Sequence, residues 1–187
     1  MHETIVHSSD VIDAILAKYK VLVYRLAYSK TGNRFDADDV FQEVFMRYIR
    51  SAPVFESEEH AKAWFLKVTV NCTKKYFLSS WKKRVVLLDD MDDMRKSYSI
   101  EAEMDSGIYA AVLKLPPKFR AVIHLFYYEE LSIEQMSVAL GARPSTVRTW
   151  LTRARQQLKK TVQKGIGIQM IGIRIINITE ANIALQF

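Results

Sequence analysis

From Pro144 to Lys160 the chain carries Arg148, Arg153, Arg155, Lys159 and Lys160 and not one acid. Read as a helix, this stretch places Val147, Leu151, Ala154 and Leu158 on one apolar stripe. Ser145, Thr146, Arg148, Thr149 and Thr152 fall on its other faces, towards the start. Those residue types are suited to reading duplex DNA. An arginine can donate to both acceptors of a guanine edge, and hydroxyls bond bases or phosphates. Later cations such as Arg155, Lys159 and Lys160 suit phosphates, which add affinity without sequence information. A solvated cationic helix has the same composition, so the preceding elements matter. Ser132 with Gln135 forms a capping box, Gly141 supplies a helix stop, and Pro144 fits the first position of a new helix. Together they make a helix-turn-helix, whose second helix enters a major groove N-terminus first.

A second chemistry-bearing stretch lies upstream. Lys62, Trp64, Lys67, Asn71, Lys74, Lys75 and the run from Trp81 to Arg84 mix aromatics, an amide and bases along one predicted helix. Aromatics stack on unpaired bases while lysines follow phosphates, a composition suited to single-stranded nucleic acid. Trp64 can equally be core, and Phe65 and Leu66 compete for the buried side. Just before this helix, "DADDVFQEVF" (36–45) gathers acids in a basic protein. Val40, Val44 and Tyr48, with Phe41 and Phe45, form its inward stripe, whereas Asp39, Gln42, Glu43 and Met46 share a separate face. Spacing alone leaves that face either solvated or partner-binding.

Catalytic constellations are not found. The four histidines, His2, His7, His60 and His124, lack ligand spacing, and a single cysteine, Cys72, excludes an intrachain disulfide or a cysteine-rich zinc site. The sequence therefore predicts no enzymatic activity, metal, cofactor or small-molecule substrate.

The elements that must position these residues are predicted to be helical. The chain has 187 residues, 49% of them hydrophobic, with only four Pro and six Gly, which supports packed all-α cores. Its formal charge of +6 favours polyanion partners. Val11, Ile15, Leu22 and Leu26 space out the apolar face of a first helix that stops at Gly32. Asp36, with Asp39 three residues on, is expected to cap a second helix running to about Arg50 and ending before Pro53. A third starts near Glu58 or Glu59, where Val68, Thr69 and Val70 lower helix propensity slightly. Pro116 and Pro117 end one short helix and begin another, buried through Phe119, Val122, Ile123 and Phe126.

Residues 89–105 hold Asp89, Asp90, Asp92, Asp93, Glu101, Glu103 and Asp105 against Arg95 and Lys96, and read as a flexible acidic linker. Two small helical domains, 1–88 and 106–164, flank it. The Ile- and Gly-rich tail, 165–187, has strand-like alternation and no assigned role. The N-terminus lacks signal-peptide order and no apolar run of about 18 residues exists, so a cytoplasmic location is expected.

"FDADDVFQEVFMRYIR", then "AKAWFLKVTVNCTKKYF", then "LPPKFRAVIHLFYYEELSIEQMSVALGARPSTVRTWLTRARQQLKK" follow one another in the chain. In that order they resemble the extracytoplasmic-function group of the sigma-70 family of bacterial sigma factors, over roughly residues 10–160. The resemblance implies a first domain docked on the clamp helices of RNA polymerase's largest subunit through Asp36, Asp39, Gln42, Glu43 and Met46. It implies that Phe55, His60, Trp64, Lys67, Asn71, Lys74 and Lys75 melt and read the minus-ten element as a single strand. Ser145, Thr146, Arg148, Thr149, Trp150, Arg153 and Arg155 would meet the minus-thirty-five duplex. Core polymerase (its clamp helices and flap region), promoter DNA and an anti-sigma factor are the implied partners. Two positions depart from the family pattern: Lys75 stands where many members carry Asp or Asn, and Trp150 where a polar or basic residue is usual. Apart from the resemblance, a conventional operator-binding regulator and a helical adaptor with a merely soluble basic helix fit the same composition.

Overall fold

The computed structural model describes residues 9–84 and 111–164. The predicted acidic linker and the tail from 165 lie outside them. Among the described residues the helices are α1 (Ser9–Thr31), α2 (Arg34–Ser51), α3 (Glu58–Arg84), α4 (Pro117–Tyr127), α5 (Ile133–Leu140) and α6 (Pro144–Lys164). Residues 111–113 complete a further helical turn, and no described residue is in a strand.

Helices α1, α2 and α3 form one unit around Tyr19, Val23, Ala27, Val40, Val44, Tyr48 and Phe65. The stripe expected on α2 is the one buried. The face expected on α1 is not: Val11 is 43% exposed, and Ile15 and Leu22 are only half-buried. Helix α1 packs on α2 and α3 but also on α4, so it buries two faces rather than one. Tyr19, Val23 and Ala27 face the first unit, and Leu26 faces the second. In α3, the Val68-Thr69-Val70 run stays helical, and the buried Thr69 hydroxyl is satisfied by donating to Phe65 O at 2.7 Å. Thr73 does the same to Val70 O.

The cap of α2 also differs from expectation. Asn33, with extended backbone, accepts from Asp36 N at 2.9 Å, and its own amide donates to the Asp36 carboxylate. Asp36 is thus the third helical residue of the first turn, and Asn33, one place after the αL Gly32, is the N-cap. Gly32 ends α1 as expected, with φ +80° and its N–H donated to Tyr28 O.

In the second unit the sequence signals appear as written. Pro117 opens α4, Ser132 and Gln135 form the reciprocal capping box of α5, and Gly141 closes α5 at φ +62°. Val147, Leu151, Ala154 and Leu158 seat α6 against α4 and α5. The turn between α4 and α5 holds Glu130 at φ +54°, a left-handed conformation that costs a non-glycine residue roughly 1–2 kcal/mol.

The two units are not separate bodies. Leu26, Leu66 and Val70 of the first share one apolar cluster with Leu115, Phe119, Ile123 and Leu140 of the second. At its edge the buried Arg120 guanidinium donates from Nε to Ser29 O and from Nη2 to Lys30 O, two carbonyls in the last turn of α1. Its Nη1 bonds Leu113 O at 2.9 Å and Leu115 O at 3.3 Å. Lys74 on α3 donates to Leu140 O at 3.1 Å, at the C-terminus of α5. Lys62 reaches both the backbone and the carboxylate of Glu129 at 3.3 Å.

The Lys30 side chain lies beside this junction; the residue is 7% exposed, and its ammonium has no hydrogen-bond or ion-pair partner among the described residues. Burial, reinforced by Lys74 and Arg120, lowers its pKa from 10.5 to about 8. The folded state thus disfavours the charged form. The penalty is complete below pH 8 and is relieved as pH rises towards the unfolded value of 10.5. Lys30→Met should therefore stabilise the protein at pH 7 by roughly 1–3 kcal/mol, with a smaller gain at pH 9. Equal gains in denaturant melts at both pH values would trace the effect to packing instead of charge.

Candidate nucleic-acid and protein interfaces

On α2, the residues opposite the core stripe form a continuous exposed line. Phe35, Asp39, Gln42, Met46 and Ile49 recur at four, three, four and three residues, and all are exposed. The apolar members are open to 77%, 43% and 46% for Phe35, Met46 and Ile49. This 4-3 repeat is the spacing by which one helix packs along another. Asp39 and Gln42 supply polar pairing in its middle. Phe35 and Ile49 were missed from the sequence, although the spacing that joins Asp39, Gln42 and Met46 extends directly to both.

Two other candidates sit differently. Asp36 is buried in the first turn, bound to Asn33, and does not join the exposed line. Glu43 flanks it, and its carboxylate accepts from Arg47 Nε at 2.8 Å. That bond, aided by the Arg47 charge and by Lys75 and Arg50, holds the Glu43 pKa below the usual carboxylate value. Glu43 therefore stays ionised with its cation attached.

The α3 candidates fall along a second line, His60, Trp64, Lys67, Asn71 and Lys75, with aromatics at the N-terminal end and bases further on. Ser57 caps the helix, its hydroxyl accepting from His60 N at 3.1 Å. Phe55, in the preceding loop, meets the His60 ring at 5.7 Å and the Trp64 ring at 5.9 Å, both edge-on. Tyr48 from α2 contacts Phe55 and Trp64 from beneath, at 6.2 and 6.1 Å. Trp64 is thus half core and half surface, while Phe65 and Leu66 take the fully buried side. Such a cluster offers ring faces and edges to an unstacked base. Lys67, Asn71 and Lys75 are exposed beyond it, but the Lys74 ammonium is turned to Leu140 O.

On α6, Ser145, Arg148, Thr149 and Arg153 are exposed around the N-terminal half, and Thr146 is half-buried. Arg148 is paired with Glu134 of α5 at 3.3 Å, both ends solvent-exposed, so the pair is weak and readily exchanged for another acceptor. Thr149 donates to Ser145 O within the helix. Two of the expected DNA residues also make contacts within the protein. Trp150 packs against the second unit's core. Arg155 lies half-buried over the Phe126 ring at 4.9 Å and donates to the Tyr127 hydroxyl at 3.0 Å.

Comparison with known proteins places both units. The profile of sigma-70 region 2 matches residues 15–83, and that of sigma-70 region 4 matches residues 106–158. The ECF RNA polymerase sigma factor SigE of Mycolicibacterium smegmatis is 31% identical over 163 residues, covering 81% of this chain and 62% of SigE. RNA polymerase sigma factor SigV of Bacillus subtilis is 29% identical, covering 80% of this chain and 89% of SigV. The chain thus spans less than two thirds of SigE but most of SigV. Among solved structures, the sigma factor RpoE of Bartonella quintana, in complex with the anti-sigma factor NepR, shares the fold. Its TM-score is 0.62 at 20% identity, covering 82% of this chain and 98% of that one.

The contrast between the two arginines of α6 is testable. Arg153→Ala should leave thermal stability unchanged and lower the slope of log affinity against log salt for a mixed-sequence duplex by about one. Arg155→Ala should lower stability by roughly 1–2 kcal/mol through its lost ring and hydroxyl contacts. A thermal melt in which Arg155→Ala matches the parent protein would show that these contacts add nothing to stability.

Proposed function

We propose the following division of labour for a chain that belongs to the extracytoplasmic-function group of the sigma-70 family: α2 holds RNA polymerase, α3 and its aromatic loop hold the opened minus-ten strand, and α6 reads the minus-thirty-five duplex. As a sigma factor the protein directs RNA polymerase to promoters and acts in transcription initiation. Its work is binding and strand capture, and the residues named below act as contacts.

One observation carries the reading of the first unit. The line Phe35, Asp39, Gln42, Met46 and Ile49 is an apolar-edged helical seam that no described residue covers. A partner presenting helices, such as the clamp helices of the polymerase's largest subunit, fits that repeat. The aromatic cluster of Phe55, His60 and Trp64, continued by Lys67, Asn71 and Lys75, lies on the neighbouring helix, where a melted strand can pass with bases on rings and phosphates on lysines. In the second unit, Arg148, Thr149, Arg153, Ser145 and Thr146 are the duplex contacts, and the polymerase flap is the protein contact. Residues 89–105 act as the acidic connection. An anti-sigma factor is a further partner, as the similar Bartonella quintana RpoE is found with NepR.

Reconstitution with core RNA polymerase on genomic-library templates should yield promoter-specific transcripts, and their complete absence would overturn the assignment. Replacing Asp39 and Gln42 together by Ala should weaken binding to core enzyme roughly tenfold or more with helical content retained, and Phe35→Ala or Ile49→Ala should act in the same direction. Unchanged capture of core enzyme by all of these variants would remove α2 as the docking face. Arg148→Ala should cost about 1–3 kcal/mol at particular upstream bases, whereas uniform loss over all sequences would make it a phosphate contact.

A further inference from the structure

Glu134 and Arg148 meet across the helix-turn-helix. Arg148 donates from Nη2 to Glu134 Oε1 at 3.3 Å, with both side chains more than half open to solvent. Glu134 stands in the first turn of α5, whose start is fixed by the Ser132–Gln135 capping box. The Ser137 hydroxyl donates to the Glu134 carbonyl at 2.8 Å. Arg148 stands in the N-terminal half of α6, the part of such a helix that reaches base edges in a major groove. From Pro144 to Lys160 the helix carries no acid, so the carboxylate beside its arginine is supplied by another element.

In helix-turn-helix docking the first helix crosses the DNA backbone, which brings Glu134 to the phosphate side of the groove. An acid there lowers affinity for every sequence alike. It also changes which acceptor suits Arg148. The contact occupies one Nη2 hydrogen, and Nη1 with the second Nη2 hydrogen still suffices for the O6 and N7 acceptors of a guanine. Those acceptors are uncharged and are met with the carboxylate in place. A phosphate oxygen asking for the same cation sets a negative charge beside Glu134, so it breaks the pair or is repelled. Exclusion of water as the duplex seats strengthens that repulsion.

We propose that Glu134 is a positioning residue that sets sequence specificity: it neutralises Arg148 and holds it for an uncharged base edge, so that the arginine reads guanine instead of gripping phosphate. The proposal rests on the reading of α6 as the duplex reader. The pair adds little to the stability of the fold, because both its ends are in water. Its effect falls on the difference between two affinities, matched against unmatched DNA. Arg153 provides the contrast. It is exposed on the same helix with no ion pair among the described residues, and a cation without a carboxylate takes phosphates freely. An acid in the first turn also complements the dipole of α5, but that role needs no contact with α6.

Full-length protein selected on a pool of short randomised duplexes yields an enriched duplex, whose affinity is compared with that of a mixed-sequence one. The parent chain should enrich a guanine that Arg148→Ala no longer selects. Glu134→Ala should lower the ratio of enriched to mixed-sequence affinity roughly three- to tenfold. Its binding to the mixed-sequence duplex should tighten about two- to threefold and its salt slope steepen by about one, as Arg148 moves to a phosphate. Glu134→Gln, which keeps an acceptor without the charge, should give an intermediate ratio, and both variants should melt as the parent does. In the Arg148→Ala background, Glu134→Ala should leave the ratio unchanged, because Glu134 acts through that arginine. A ratio unmoved by Glu134→Ala in the parent background overturns the positioning role and leaves Arg148 as a base reader. An equal fall with and without Arg148 overturns it too, since such an effect belongs to the folding of α5. A parent chain that enriches no guanine dependent on Arg148 overturns the reading of α6 itself, and the role of Glu134 with it.

Discussion

Arg120 places a permanently charged guanidinium away from water, an arrangement tolerable only where its donors meet well-placed acceptors. The acceptors come from two chain endings. Ser29 and Lys30 belong to the last turn of α1, and Leu113 and Leu115 to the end of the helical turn before α4. Terminal carbonyls have no partner within their own helix and carry the negative end of its dipole. A single side chain answers both endings at once. Its four bonds set where α4 lies against α1, and the apolar cluster of Leu26, Leu115, Phe119 and Ile123 closes around that placement.

The same logic recurs at a smaller scale. Lys74 meets the carbonyl end of α5 as Arg120 meets that of α1. Glu129 sits where burial pushes its carboxyl pKa up, but His124 and Lys62 outweigh the burial and hold it below the ordinary value. The polar contacts described across the junction are thus cations on helix ends and the Glu129 carboxylate. Helix α6, by contrast, is seated on α4 and α5 by an apolar stripe, and its outward hydroxyls and arginines stay exposed while the units are packed. The packing of the two units leaves the outward side of α6 uncovered by any described residue.

Much of this was legible in the chain itself. Periodicity found the buried stripes of α2 and α6, because each of those helices has one packed side. Turn chemistry found Ser132, Gln135, Gly141 and Pro144, because caps act within a few residues. Helix α1 defeated the same method, since a helix wedged between α2, α3 and α4 buries two faces and shows no single stripe. The cap of α2 was misplaced because Asp36 and Asn33 are both good capping residues, and only the position of Gly32 decides between them. Arg155 was read by its type as a phosphate contact, and the contacts it makes with Phe126 and Tyr127, distant in sequence, could not be seen in the local pattern. The contacts of Arg120 cross some ninety positions, beyond the reach of any local pattern.

Gly32 is usually explained by its backbone, since φ of +80° ends α1 in a conformation that side chains avoid. Asparagine is the common stand-in at such a helix end. Here a Cβ at position 32 would lie 3.1 Å from Arg120 Nη2 and 3.3 Å from Nη1. The guanidinium would have to shift slightly against its carbonyl bonds, so the stand-in meets a cost unrelated to torsion. Positions 32 and 120 are therefore coupled: a side chain after α1 asks the guanidinium to give by a few tenths of an ångström, a demand that disappears with a shorter residue at 120.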